Sequence, residues 1–306
     1  MNKTLSAAKV VTCLCGLFTL YPGASALAQN PPPPDHPAVT VRGQTYTPHS
    51  TLVRNMGTEE DRVTQFTPHK IIGNIYYVGT RTLSSFLIVT PEGNILIDST
   101  YERNVPTIAK SVADLGFKFS DVKILLGNHA HGDHQEGDAL VKQMTGAQVM
   151  AMAEDVPLLQ RMKPGGKEHP IDRILHDGDQ VTLGGTTLTA HLTPGHTPGC
   201  TTWTTTAQEA GKSYNVMFGC SLRPPARLTP ALVDQFNHAF KAVRALACDV
   251  QLGDHGAQYH MQEKFAKLKD GGPNPFIDPA SCMLEAEIQE AMFHAILAEQ
   301  EQAGRP

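Results

Sequence analysis

Three histidines and an aspartate crowd into six residues directly after a short apolar run. Val122–Leu126 has the length and composition of a buried strand, and it delivers the chain to His129-Ala130-His131-Gly132-Asp133-His134. The whole chain of 306 residues has only 14 histidines, so composition does not supply this density. In a loop leaving a strand, His129 and His131 can point the same way and share one cation. Asp133 and His134 can then turn toward a second. Imidazole and carboxylate are ligands that suit zinc. A solvated polar loop is the plainer reading, and it leaves the spacing unexplained.

Two such cations need further ligands. His196 lies in Thr193-Pro194-Gly195-His196-Thr197-Pro198-Gly199, a tight loop at a strand end. His255 lies in Leu252-Gly253-Asp254-His255-Gly256, again directly after a strand pattern. A lone histidine is usually an ordinary surface or core residue. These two are favoured because binding sites are commonly built on loops of this kind. His191 falls within a strand pattern and His260 within a helix pattern, so both read as structural.

The rest of the chain alternates short strands with helices. Ile75–Val78, Ser85–Val89 and Asn94–Asp98 read as strands and Asn104–Leu115 as a helix. Gln135–Met144 follows as a helix and Gln148–Met152 as a strand. Gln180–Leu183 and Thr187–Leu192 form a hairpin about Gly184-Gly185. Thr201–Thr205, Asn215–Phe218 and Val250–Leu252 are further strands. Ala231–Ala245, Gln258–Leu268 and Leu284–Ala298 are helices. This pattern predicts an α+β fold of two mixed β-sheets with helices on the outer faces. Tyr76, Tyr77 and Phe86 are expected in its core. Arg161–Asp179, with Pro164-Gly165-Gly166, reads as a mobile loop beside the cleft.

The first 28 residues look like an export signal. Lys3 and Lys9 precede an apolar run, Val10–Leu20, and Ala26-Leu27-Ala28 matches a small-residue cleavage site. The run is about half of a bilayer span, so a removed signal and a periplasmic location are expected, with no membrane anchor. Residues 29–68 open on Pro31–Pro34 and read as an extended tail, leaving 69–306 as the folded domain. Export permits disulfides among Cys200, Cys220, Cys248 and Cys282, and three pairings are open. The net charge of −5, with no basic stripe, argues against nucleic acid.

His129–His134, Leu192–Gly199 and Asp249–His255 together resemble the metallo-β-lactamase superfamily in content and order. The resemblance runs from about Ile71 to the last helix and implies a four-layer αβ/βα sandwich. The finer likeness is to class B, subclass 3 β-lactamases, and the stretch Ala231–Cys248, with its Val243–Val250 run, shares it. That likeness implies two Zn²⁺ ions, the first held by His129, His131 and His196, the second by Asp133, His134 and His255. It also implies a Cys248–Cys282 disulfide. Other enzymes of the superfamily usually place a metal-bridging aspartate where Phe218-Gly219-Cys220-Ser221 stands here, and lactamases lack it.

The implied activity is hydrolysis of the β-lactam amide of a small-molecule substrate by a metal-bound hydroxide, in a monomer. Asp133 would orient the hydroxide, and Ser221 and Arg223 would contact the substrate carboxylate. Two alternatives remain: a superfamily hydrolase acting on a lactone or thioester, and a non-catalytic zinc-binding protein.

Overall fold

A computed structural model describes residues 35–304, together with Met1. The expected signal segment, its cleavage site and Pro31–Pro34 lie outside the described residues.

Seven strands form the first sheet in chain order: β3 (His69–Ile72), β4 (Ile75–Tyr77), β5 (Phe86–Thr90), β6 (Gly93–Ile97), β7 (Val122–Leu126), β8 (Gln148–Met152) and β9 (Arg173–Leu175). Five form the second: β10 (Gln180–Leu183), β11 (Thr186–Leu192), β12 (Thr201–Glu209), β13 (Lys212–Gly219) and β14 (Val250–Gly253). Side chains alternate along a strand, so a strand buried on both faces needs apolar residues at every position. That explains the near-continuous apolar runs. Phe86 and Ile88 on β5, Ile95 and Ile97 on β6, and Val216 and Phe218 on β13 meet in one core between the sheets. Leu87 and Leu96 point the opposite way, onto α2 (Val105–Asp114) and α4 (Asp138–Thr145). Met217 points outward onto α6 (Pro230–Arg244) and α8 (Leu284–Ala303). The result is the expected four-layer sandwich of two sheets with outer helices. Tyr77 and Phe86 are fully buried in it.

The structure departs from the sequence reading in several places. The segment expected as an extended tail carries a hairpin, β1 (Val39–Val41) and β2 (Gln44–Tyr46), and a helix, α1 (Pro48–Met56). Three-residue strands are too short to show a period. They are held by Tyr46, Val39 and Val41 packing with α6 and α8, and by Arg54 pairing with Glu285 at 2.6 Å. The folded body therefore begins well before Ile71. The segment expected as a mobile loop contributes β9, which pairs with β8, and buries His169 against Asp138 at 3.1 Å. The helix expected over Gln135–Met144 is broken into α3 (Gly132–Gln135) and α4. Between them Gly137 donates its N–H to Thr100 O, and a Cβ there would meet Val105 at 2.6 Å. The helix expected from Gln258 starts later, as α7 (Met261–Leu268), because His260 adopts φ 56°.

Candidate metal centre

The site lies where strands of both sheets end. The His129–His134 run leaves β7, the His196 loop leaves β11, Cys220–Arg223 leaves β13 and Asp254-His255 leaves β14. Because β6 and β7 run parallel, and β13 and β14 do likewise, their C-terminal ends lie side by side. Such edges are where α/β sheets place ligands. An isolated bridge between Leu83 and His255 ties the β14 loop to the other sheet.

His129, His131 and His196 form a near-equilateral triangle. Their ring centroids are 4.8, 4.7 and 4.8 Å apart, and the ring planes cross at 84°, 81° and 90°. Their ligating atoms fall within 4.8 Å of one another, as do those of Asp133, His134 and His255. In the second group Asp133 Oδ2 lies 3.4 Å from His134 Nε2 and 3.8 Å from His255 Nε2. The groups adjoin through His129 and His134, whose rings are 4.2 Å apart. His131 is exposed, so the first triangle opens to solvent.

Three rings are oriented from behind. His129 Nδ1 lies 3.3 Å from Asp254 Oδ2, and His134 Nδ1 lies 3.3 Å from Asp98 Oδ2. His196 Nδ1 donates to Arg223 O at 3.1 Å. The inner atom His129 Nε2 is buried with no hydrogen-bond partner, and His134 Nε2 has only Asp133 Oδ2 facing it, at 3.4 Å. A buried unpaired ring nitrogen is costly, and a cation between the rings removes that cost. The donor set, imidazole nitrogens with one carboxylate, fits zinc.

For four of the five histidines the electrostatics agree with ligand duty, whereas His134 must give up a proton to bind a metal. Burial holds His129 well below the ordinary histidine range, helped by the neighbouring rings of His134 and His196. Burial, His131 and the Arg223 charge push His196 down to about 3. Burial also lowers His255, and partial desolvation of a ring whose edge reaches solvent lowers His131. Neutral imidazoles are the form that binds a metal. For the pair Asp133 and His134, burial opposes ionisation of both, and their mutual attraction overrides it. Asp133 stays well below the usual carboxylate range and His134 well above the usual histidine range.

The structure thus brings together all six candidate ligands. Ser221 is buried beside them, its N–H donated to Asp254 at 2.8 Å. Arg223 is half-buried at the rim, and its guanidinium forms no salt bridge among the described residues. His191 donates to or accepts from Thr204 at 2.8 Å and His260 lies by Glu263 at 3.5 Å, so neither joins the site. Cys200 is bonded to Cys220, and Cys248 to Cys282. The first bond removes Cys220 as a thiolate ligand, although its Sγ lies 3.6 Å from His129 Nδ1.

Sequence reading missed the supporting carboxylates Asp98 and Asp254. Burial pushes Asp98 up to about 6, against the pull of His134. A signal was present: each ends an apolar strand at the same edge as the histidine run.

A family model described as the metallo-β-lactamase superfamily matches residues 78–208. Among solved structures, the native FEZ-1 metallo-β-lactamase from Legionella gormanii shares 43 % identity at a TM-score of 0.75. That match covers 78 % of this chain and 98 % of that one. BJP-1, a subclass B3 metallo-β-lactamase of Bradyrhizobium japonicum, shares 39 % at 0.74, covering 80 % and 99 %. A hydroxyacylglutathione hydrolase of Cereibacter sphaeroides is 33 % identical over 96 residues, 31 % of this chain and 34 % of that protein. The chain spans about a third of the length of the first curated relatives it matches. By its near-complete coverage of the solved lactamases, the chain belongs to the metallo-β-lactamase superfamily, and it is a hydrolase of that group.

Proposed function

We propose that this protein is a di-zinc β-lactamase. The observation that carries the reading is the pair of adjoining three-ligand groups, in a chain that matches solved metallo-β-lactamases over nearly their whole length. The sequence matches to hydroxyacylglutathione hydrolases cover only 34, 44 and 30 % of those proteins' length. In this reading His129, His131 and His196 hold one zinc, and Asp133, His134 and His255 hold the other.

Bound zinc supplies Lewis acidity at the substrate carbonyl and a water acidic enough to react at neutral pH. The chain's own residues supply the rest. Asp133, held ionised beside His134, orients the attacking water. Arg223, without a carboxylate partner among the described residues, pairs with the carboxylate of the substrate. Ser221 contributes a hydroxyl hydrogen bond to the same group. No described helix is long and apolar enough to cross a membrane. The Lys3–Ala28 pattern and two disulfides support export to the periplasm. All six ligands come from one chain, so the site needs no second copy to be complete.

The test is a zinc titration of the metal-free protein while opening of a chromogenic cephalosporin is followed. Turnover should rise with zinc and saturate near two equivalents. Zinc binding without turnover of any β-lactam would leave a storage or thioester role and sink the proposal.

A further inference from the structure

One buried carboxylate near the site belongs to neither ligand group and orients no ligand ring. Asp155 lies past the end of β8, just before the short helix α5 (Val156–Leu159), and is 2 % exposed. Its Oδ2 accepts the Ala130 N–H at 2.8 Å and the Thr197 hydroxyl at 2.7 Å. Its Oδ1 accepts the Gly199 N–H at 2.7 Å. Ala130 stands between His129 and His131, and Thr197 follows His196. The two loops come from different sheets. The loops are tied directly at their bases, where Thr201 N–H donates to Asn128 O at 2.8 Å and Asn128 Nδ2 donates to Thr201 O at 3.1 Å; within His129–His134 and Thr193–Gly199, where the ligands sit, no direct hydrogen bond joins them among the described residues. Over the ligand-bearing spans themselves, Asp155 is the group that both hold. The approach is close as well: a Cβ on Gly199 would lie 2.5 Å from Asp155 N and 2.7 Å from its Cγ. Any side chain at 199 would push the His196 loop away.

We propose that Asp155 is the positioning residue of the three-histidine site, fixing the His131-to-His196 separation and with it the metal affinity of that site alone. The proposal rests on reading His129, His131 and His196 as a metal site. The chemistry demands a carboxylate. Three donors converge on two acceptor oxygens. An asparagine of the same shape has one oxygen, and its NH₂ must face either Gly199 N–H or Ala130 N–H, donor against donor. Asp155→Asn therefore keeps the volume and breaks one arm of the clamp. His255 and His134, anchored from β14 and by Asp98, do not touch it.

The experiment measures zinc affinity by chelator competition on the full-length protein. It compares wild type with Asp155→Asn, Asp155→Asn in a His196→Ala background, and Asp172→Asn. Asp172 is a control carboxylate, just before β9, that accepts the N–H of Val149 on β8 at 2.8 Å, away from the site. Asp155→Asn should bind one zinc equivalent about 10–100-fold more weakly and leave the other unchanged. Once His196 is gone, the same change should have no further effect on the remaining equivalent. Asp172→Asn should lower thermal stability while both affinities hold. If Asp155→Asn is poorly folded, Thr197→Val removes one donor and should weaken the same equivalent less. Two wild-type affinities in the variants, or equal weakening of both equivalents, would overturn the positioning role. A wild type that binds no zinc would instead overturn the metal-site reading beneath it.

Discussion

His69 gives the protein an acid sensitivity that is separate from its metal site. The ring is 7 % exposed and packs among Tyr77, Phe265 and Phe276, with centroids at 5.5, 4.4 and 5.7 Å. Its Nδ1 bonds the Thr67 carbonyl at 2.9 Å, and its Nε2 is buried without a partner. Burial pushes its pKa from 6.5 to about 4; the Thr67 carbonyl resists slightly and Lys269 adds to the drop. The unfolded chain takes up this proton near pH 6.5, and the folded chain refuses it until about pH 4. Stability from this group is therefore intact above pH 6.5, falls between pH 6.5 and 4, and is level below. At about 1.36 kcal/mol per pKa unit, the full loss is about 3 kcal/mol, against a total of roughly 5–15 kcal/mol for a typical domain. Urea unfolding of metal-free wild type and His69→Phe, measured from pH 7.5 to 4.5, isolates the term, because all other groups are common to both. Wild type should lose about 2–3 kcal/mol more than the variant over this range. Parallel curves would refute the reasoning.

Three further outcomes follow from the structure. Cys248→Ser with Cys282→Ser opens a loop whose ends lie 34 residues apart, and should cost about 3–4 kcal/mol in non-reducing urea unfolding. Arg223→Gln should raise KM roughly 10-fold or more for a β-lactam carrying a carboxylate, the loss of one charge-assisted pair, with little change for its neutral ester. His196→Ala should abolish nearly all turnover, whereas His255→Ala should weaken the second zinc and leave residual hydrolysis, read by zinc titration of each variant.

What could be read from the sequence was set by local physics. Val122–Leu126 and Gln148–Met152 are found at the expected bounds because strands buried on both faces write near-continuous apolar runs between turn residues, here with Lys123 and Gln148 as the exposed positions. The histidine run declared its chemistry through spacing, and His196 and His255 through their strand-end glycine loops. The remainder depends on partners distant in sequence. β1 and β2 are too short for a pattern and exist because α8 covers them. The break at Gly137 is caused by Thr100 and Val105, more than thirty residues earlier. The β12–β13 hairpin extends to Glu209 and Lys212, past the expected ends, because its outer half is polar. Asp98 and Asp254 carried only their strand-end positions as a signal and Asp155 none, and tertiary contact gives all three their histidine and loop partners.

The most direct test of the central claim compares two substrates on one zinc-loaded preparation. Hydrolysis of a cephalosporin and of a hydroxyacyl-glutathione thioester should be followed at equal enzyme concentration, with and without a chelator. The account predicts that kcat/KM for the β-lactam exceeds that for the thioester by orders of magnitude and collapses on chelation. Chelator-sensitive thioester hydrolysis with no opening of the β-lactam ring would contradict it.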